Sequence, residues 1–195
     1  MQHSVVHTVI EGILIAAYTA LLLVIITSKA KILKSAFYVI FVATGIADIF
    51  AIMVNCFNRL NRTIGFGPEI RSVVSIAIMI GGTTFLTHMI GNMFLVINRY
   101  SALCLLKKYD KIWSRRNVCI MIVLQYIVSL LAFTHLIGAS IIYKQDDNGT
   151  YTFAGIDTAS SWRNRFIYCG AALVYSVMSV CFNTKLLIEW RRLSK

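Results

Sequence analysis

Charged residues are scarce in this sequence. Only 14% of its 195 residues are Asp, Glu, Lys or Arg, whereas 58% are hydrophobic. A soluble domain normally carries about 25% charged residues, so the deficit indicates a chain whose surroundings are largely lipid. Proline occurs once, as Pro68, which excludes collagen-like chains and proline-rich disordered chains.

Acidic residues are fewer than basic ones, with 8 against 19 and a formal net charge of +11. An excess of this kind can indicate nucleic-acid binding. Here, however, the basic residues lie between long apolar runs, which is the distribution of a membrane topology signal. We therefore expect contact with a lipid bilayer and no nucleic-acid partner.

Motifs for metal binding and catalysis are missing. The five cysteines are scattered without CxxC or Cys/His ligand spacing, so neither a zinc site nor a disulfide framework is indicated. The sequence has no His-Glu-x-x-His motif, no phosphate-binding glycine loop and no spacing typical of a Ser-His-Asp triad. We expect a protein that is not an enzyme and that holds no cofactor or metal.

Five apolar runs are each long enough to cross a bilayer as a helix, which takes about 20 residues. The predicted spans are residues 5–27, 36–57, 73–96, 118–143 and 166–184. Helix is expected because lipid offers no partners for free backbone groups. No repeat, low-complexity stretch or soluble domain interrupts the pattern. The prediction is a single transmembrane domain over residues 1–195, folded as an all-α polytopic helical bundle.

The basic residues also predict the orientation. Thirteen of them lie in or beside the loops after spans one and three and the tail, against six in the alternate loops. Since Lys and Arg concentrate on the cytoplasmic side, the amino terminus is predicted outside and the carboxyl terminus inside. Two sequons, at Asn61 and Asn148, lie in loops assigned to the outside and predict glycosylation there. The alternative is that both are unmodified loop residues.

Ionisable side chains inside a membrane are costly and often functional. Asp48 shares a face of span two with Asn55, and His88 shares a face of span three with Asn92. At about 1.5 Å per residue, Asp48 and His88 lie roughly 18 Å and 12 Å from the cytoplasmic ends of their spans. We predict that both faces point into the bundle and form a polar centre linked to helix movement. The alternative is that they only hold the helices together. Weaker candidates are Glu11, Gln125, Ser129 and His135.

Cys104 follows span three and is flanked by apolar residues and Lys107. A juxtamembrane cysteine beside basic residues is a candidate for reversible palmitoylation. The alternative is a plain interfacial thiol.

A short motif ends span three. Asn98-Arg99-Tyr100 looks like the Asp-Arg-Tyr signature of rhodopsin-like receptors, with asparagine in place of aspartate. Together with Ser101-Ala102 and the segment 107–116, which contains Tyr109 and Trp113, it resembles nematode serpentine chemoreceptors of the group containing classes gamma and V. Residues 37–38 and 45–49 of span two, and residues 59–60 that follow it, fit the same group.

This resemblance implies a rhodopsin-like seven-helix architecture, of which five spans are present, so a fragment, a truncated product or a shortened isoform is expected. It implies a chemosensory G-protein-coupled receptor in the plasma or ciliary membrane. Its partners would be a small-molecule ligand and a heterotrimeric G protein that couples at Asn98, Arg99 and Tyr100. Three alternatives stay open. Arg99 could only anchor the helix end by snorkelling, the protein could be a transporter or channel component, or it could be a receptor fragment that does not signal.

Overall fold

The computed structural model describes residues 2–145, 149 and 151–193. The part it describes is a bundle of helices, as predicted. In chain order the helices are α1 (Gln2–Thr27), α2 (Ala36–Ile64), α3 (Arg71–Cys104), α4 (Leu106–Ile112), α5 (Arg115–Phe133) and α6 (Thr158–Leu193).

Five of these helical segments are long and apolar enough to cross a membrane, counted over the described residues. They are Val6–Thr27, Ala36–Ile64, Pro68–Cys104, Arg115–Leu136 and Thr158–Arg192. The chain is therefore an all-α polytopic bundle with the predicted number of spans. The helices are mostly longer than the apolar runs, because polar residues at their ends continue the helix beyond the hydrocarbon region.

Local residues fix two of the helix ends. Helix α2 ends at Gly65, which adopts a left-handed backbone with φ 73° and donates its N–H to the Asn61 carbonyl at 3.0 Å. Helix α5 begins after Ser114, whose hydroxyl oxygen accepts the backbone N–H of Asn117 at 3.4 Å.

The predicted fourth span, which ran to residue 143, is too long. Helix α5 ends at Phe133 and continues only as a 3₁₀ turn over Thr134–Leu136. Strand β1 (Ile141–Gln145) then pairs in antiparallel fashion with strand β2 (Tyr151–Ile156). Hydropathy stays high through this change, but the β-branched and aromatic residues of β1 suit a strand. We call this side of the molecule the hairpin end and the opposite side, where α4 lies, the α4 end.

Helix α3 lies at the centre of the bundle and packs against α2, α5 and α6, whereas α1 packs against α2. Two glycines permit the close approach of α3 to its neighbours. A Cβ at Gly91 would overlap the side chain of Thr44, and a Cβ at Gly82 would overlap the ring of Phe133. Large apolar side chains such as Phe166 and Leu173 stay exposed on α6, as expected for a surface that faces lipid.

Candidate functional site

Four polar side chains from three helices form a continuous series of hydrogen bonds, which we call the polar chain. Asp48 Oδ1 lies 2.6 Å from His88 Nδ1, and His88 Nε2 lies 2.7 Å from Asn92 Nδ2. Tyr18 donates its hydroxyl to Asp48 Oδ2 at 3.2 Å. The polar chain therefore joins α1, α2 and α3 at the point where the sequence predicted a polar centre.

The hydrogen-bond roles in the polar chain are consistent with one another. In the neutral tautomer with the ring proton on Nδ1, His88 donates to Asp48 and its Nε2 accepts from the Asn92 amide nitrogen. Asp48 thus accepts from an imidazole N–H and from the hydroxyl of Tyr18. Two donors to one carboxylate offset much of the cost of placing a charge in a membrane bundle.

The polar chain is accessible from a cavity of about 350 Å³. The His88 side chain keeps 43% of its surface exposed, and that of Asp48 keeps 24%. Asn55 and Asn58 line the same cavity, but Asn55 lies on its wall and makes no hydrogen bond to the polar chain among the described residues. The structure thus brings Asp48, His88 and Asn92 into contact and leaves Asn55 facing the cavity.

A second cavity, of about 370 Å³, continues from the first toward the hairpin end. Asn58 and Tyr168 line both cavities. The second is also lined by Arg62, whose guanidinium lies 5.8 Å from the ring centre of Phe153 on β2, and by Arg165. The two cavities adjoin at Asn58 and Tyr168 and together extend from the polar chain to the hairpin, with Arg62 and Arg165 lining the second.

The hairpin is tied to α6 beside the second cavity. Asp157 accepts the backbone N–H of Ser160 at 2.9 Å and that of Ser140 at 3.1 Å. These hydrogen bonds, that from Ser160 foremost, hold the pKa of the Asp157 carboxyl below its usual range. Burial acts in the opposite direction on Tyr143 in β1 and raises the pKa of its hydroxyl.

The two sequon asparagines have different outcomes. Asn61 lies in the last turns of α2, is buried, and lines the second cavity. Its side-chain oxygen has no hydrogen-bond partner in the part of the chain that the structure describes. A glycan on Asn61 would therefore require this side chain to turn out of the bundle, and glycosylation there stays a prediction. Asn148 lies outside the described residues, so its glycosylation also stays a prediction.

The weaker polar candidates do not join the polar chain. Gln125 donates to the Thr87 carbonyl at 2.7 Å and thereby ties α5 to α3. Ser129 is fully buried without a hydrogen bond in the described residues. His135 lies within bonding distance of the Ala132 carbonyl, one turn back. Glu11 of α1 forms an ion pair with Arg59 of α2.

The Asn98-Arg99-Tyr100 motif lies near the end of α3, and its three side chains meet three different helices. Asn98 is only 3% exposed and donates its amide N–H to the Tyr109 hydroxyl of α4 at 3.2 Å. The guanidinium of Arg99 lies 5.2 Å from the ring centre of Phe37 on α2, and the Tyr100 ring lies 5.1 Å from that of Phe182 on α6.

Further hydrogen bonds fasten the α4 segment onto α3. Trp113 donates its indole N–H to Ser101 Oγ at 2.5 Å, and Ser101 donates in turn to the Asn98 carbonyl at 3.0 Å. Asn117 of α5 donates to the carbonyls of Lys111 and Ile112 at 3.0 and 3.1 Å, which ties the end of α4 to α5. The motif residues that were matched as a pattern are thus physically connected. Cys104 is the last residue of α3, and its palmitoylation stays a prediction.

Five membrane-length helices define a multi-pass helical membrane protein. The family model described as "Serpentine type 7TM GPCR chemoreceptor Srv" matches residues 8–195, so the chain belongs to that family. The resemblance read from the motif is confirmed, and the receptor class that it left open is now assigned. The family is one of receptors and not of enzymes. A comparison with curated proteins found no match.

Proposed function

We propose that this protein detects a small molecule in the cavity beside the polar chain and signals to a heterotrimeric G protein at the α4 end. The observation that carries the proposal is that one helix, α3, bears both sites. His88 and Arg99 are separated by about 16 Å along the helix axis at 1.5 Å per residue. A movement of α3 at the first site therefore displaces the second.

The polar chain suits a ligand that forms hydrogen bonds. His88 and Asp48 are partly exposed to the cavity, so a ligand can reach them without unfolding the bundle. A ligand that bonds to His88 would compete with its contacts to Asp48 and Asn92. The contact to Asp48 joins α3 to α2. Differential contacts of this kind shift the balance between two arrangements of the helices.

The restraint on Arg99 is weak in this proposal. Position 98 is asparagine, and its amide is occupied by Tyr109, so no carboxylate next to Arg99 holds the guanidinium. Arg99 is exposed and lies over the Phe37 ring, a cation–π contact that contributes about 0.5–1 kcal/mol at an exposed site. A G protein that offers Arg99 a better partner would displace Phe37.

We propose the orientation that the basic loops predict, with the hairpin end outside the cell and the α4 end in the cytoplasm. The two adjoining cavities beside the polar chain, which we call the ligand path, would then open to the outside. The Arg99 region would face the G protein. The plasma membrane or a ciliary membrane is the proposed location.

The test separates ligand binding from coupling in the purified protein. Volatile and small polar compounds are first screened for those that raise its unfolding temperature. His88→Ala should abolish the shift given by an active compound, because it removes the centre of the polar chain. Arg99→Ala should keep that shift but lose ligand-dependent nucleotide exchange on an added G protein. Lys144→Ala, which removes an exposed charge from β1 and lines neither cavity, is the matched control and should keep both.

Exchange that persists in Arg99→Ala would contradict the coupling site. Ligand binding without exchange in the unmodified protein would favour a receptor fragment that does not signal. A transporter would instead show substrate flux into liposomes that is indifferent to Arg99→Ala. Transporters often contain paired broken helices, whereas α2, α3 and α6 run unbroken through the described residues.

A further inference from the structure

A cleft of about 650 Å³ lies at the α4 end, away from the polar chain. It is larger than either of the two cavities described near the polar chain. Residues from α1, α2 and α5 form its walls. Most are apolar, and they include Ile25, Ile26, Val39, Val42 and Val118. Trp113, which is buried between these helices, forms part of the lining. Neither the ligand path nor the Asn98-Arg99-Tyr100 motif uses this cleft.

Two cationic side chains line the same cleft. Lys34 precedes α2 and Arg115 is the first residue of α5, and both are exposed. No acidic side chain lines the cleft in the part of the chain that the structure describes. The flanking segments 29–34 and 115–116 contain five basic residues and no acidic ones. The cleft is therefore apolar along its walls and positive where the helices emerge from the membrane.

We propose that this cleft binds an anionic phospholipid from the adjacent leaflet. Its phosphate would lie between Lys34 and Arg115, and its acyl chains would lie along the apolar wall. Basic pockets between transmembrane helices are suited to acidic headgroups, since each nearby Lys or Arg adds favourable electrostatic energy. The proposal concerns a site distinct from the ligand path and does not depend on signalling.

The shape and charge of the cleft select this occupant over others. A free phosphate would use the two cations but leave the apolar wall bare. A zwitterionic phospholipid would cover the wall and offer a phosphate, but its choline group would bring a further positive charge to the two cations. Val42 lies about 9 Å along α2 from Ala36 at 1.5 Å per residue, so the wall extends to the depth of acyl chains. An anionic phospholipid satisfies both parts at once.

The natural tryptophan of the cleft provides the measurement. In the Trp162→Phe/Trp190→Phe background, Trp113 is the only one of the three tryptophans left. This variant of the full chain is placed in phosphatidylcholine vesicles, and Trp113 fluorescence is followed as either phosphatidylserine or phosphatidylcholine with brominated acyl chains is added. Bromine quenches a tryptophan that it approaches closely. We expect phosphatidylserine to quench at a much lower mole fraction than phosphatidylcholine.

The expected preference is roughly 30-fold, which corresponds to about 1 kcal/mol for each of two basic residues at tenfold per 1.4 kcal/mol. Lys34→Gln/Arg115→Gln should remove the preference. Lys107→Gln/Lys108→Gln removes two exposed charges from the same end outside the cleft and should keep it. Equal quenching by the two lipids, or equal loss in both double variants, would overturn the proposal. Displacement of the lipid by soluble glycerophosphoserine at similar concentration would do the same, because it would show that the apolar wall is not used.

Discussion

The middle of α3 and its carboxyl-terminal end are built differently. At the polar chain the His88 side chain is 43% exposed and its hydrogen bonds face a cavity. About three to four turns further on, at 3.6 residues per turn, Asn98 and Ser101 are almost completely buried, and their hydrogen bonds close onto Tyr109 and Trp113. Exposed hydrogen bonds can be exchanged for bonds to a ligand, whereas buried ones mainly fix the structure. The difference predicts which substitutions change stability most and which change ligand response.

The largest effect should follow from loss of the Trp113 side chain. Trp113 is 6% exposed within the core cluster that contains Ile40, Leu95 and Val118. Trp113→Ala should lower the free energy of unfolding by about 3–5 kcal/mol, as for other buried large-to-small changes. Trp190→Ala is the control: Trp190 is 61% exposed, and its loss should change stability by less than about 0.5 kcal/mol. Unfolding in detergent followed by circular dichroism measures both. Similar losses of stability in the two variants would contradict the inference that the buried Trp113 side chain stabilises the α4 end.

The next largest effect should be an energetic coupling between Asp48 and His88 in the polar chain. Asp48→Asn and His88→Ala should give non-additive losses, with a coupling energy of about 1–3 kcal/mol, because each removes the other's partner. The control cycle combines Asp48→Asn with His135→Ala. The His135 ring lies by the Ala132 carbonyl and not in the polar chain, so the two losses of stability should add within about 0.5 kcal/mol. An additive Asp48–His88 cycle would mean that the polar chain is a set of independent contacts.

A smaller effect compares two buried serines. Ser101 accepts from Trp113 and donates to the Asn98 carbonyl, whereas Ser129 is buried without a bond in the described residues. Ser101→Ala should cost about 1–2 kcal/mol because it leaves the buried indole N–H without its acceptor. Ser129→Ala should be neutral or stabilising, because it removes a polar atom that has no partner. The reverse ranking in thermal unfolding would show that the bonds around Ser101 do not stabilise the α4 end.

The smallest effect is on pH dependence at the hairpin end. Because hydrogen bonds lower the pKa of Asp157 in the folded state, its stabilising contribution is present above the unfolded pKa. That contribution is lost as pH falls through the folded pKa. Asp157→Asn should therefore flatten the acid limb of the unfolding temperature against pH. Asp110→Asn, an exposed change in α4, serves as the comparison. If Asp157→Asn and the unmodified protein had the same acid limb of unfolding temperature against pH, this contribution would be excluded.

The number of membrane-length helices and the inward faces of Asp48 and His88 could be predicted from the sequence, because both depend on patterns within one helix. Tyr18 could not, because a tyrosine in an apolar run carries no signal that its hydroxyl meets a carboxylate on another helix. That contact depends on the rotation of α1 against α2. Asn55 shares the Asp48 face but lies farther along it, so it faces the cavity rather than the polar chain.

The hairpin was missed because hydropathy alone does not distinguish a buried strand from the end of a helix. Two signals could have found it. Ile141-Ile142-Tyr143 is rich in β-branched and aromatic residues, and Asn148-Gly149 is a dipeptide typical of tight hairpin turns. The short helix α4 lacks such a signal, since its position depends on Tyr109 and Trp113 reaching back to α3.

Gly91 gives α3 the geometry of a lever. Its missing side chain lets Thr44 of α2 and Gln125 of α5 meet α3 at one point, which would be the fulcrum for a tilt of α3. His88 lies about 4.5 Å along the axis on one side and Arg99 about 12 Å on the other, at 1.5 Å per residue. A tilt of α3 about this point moves Arg99 in the opposite sense and between two and three times as far as His88. A side chain at position 91 would push the three helices apart and remove the fulcrum.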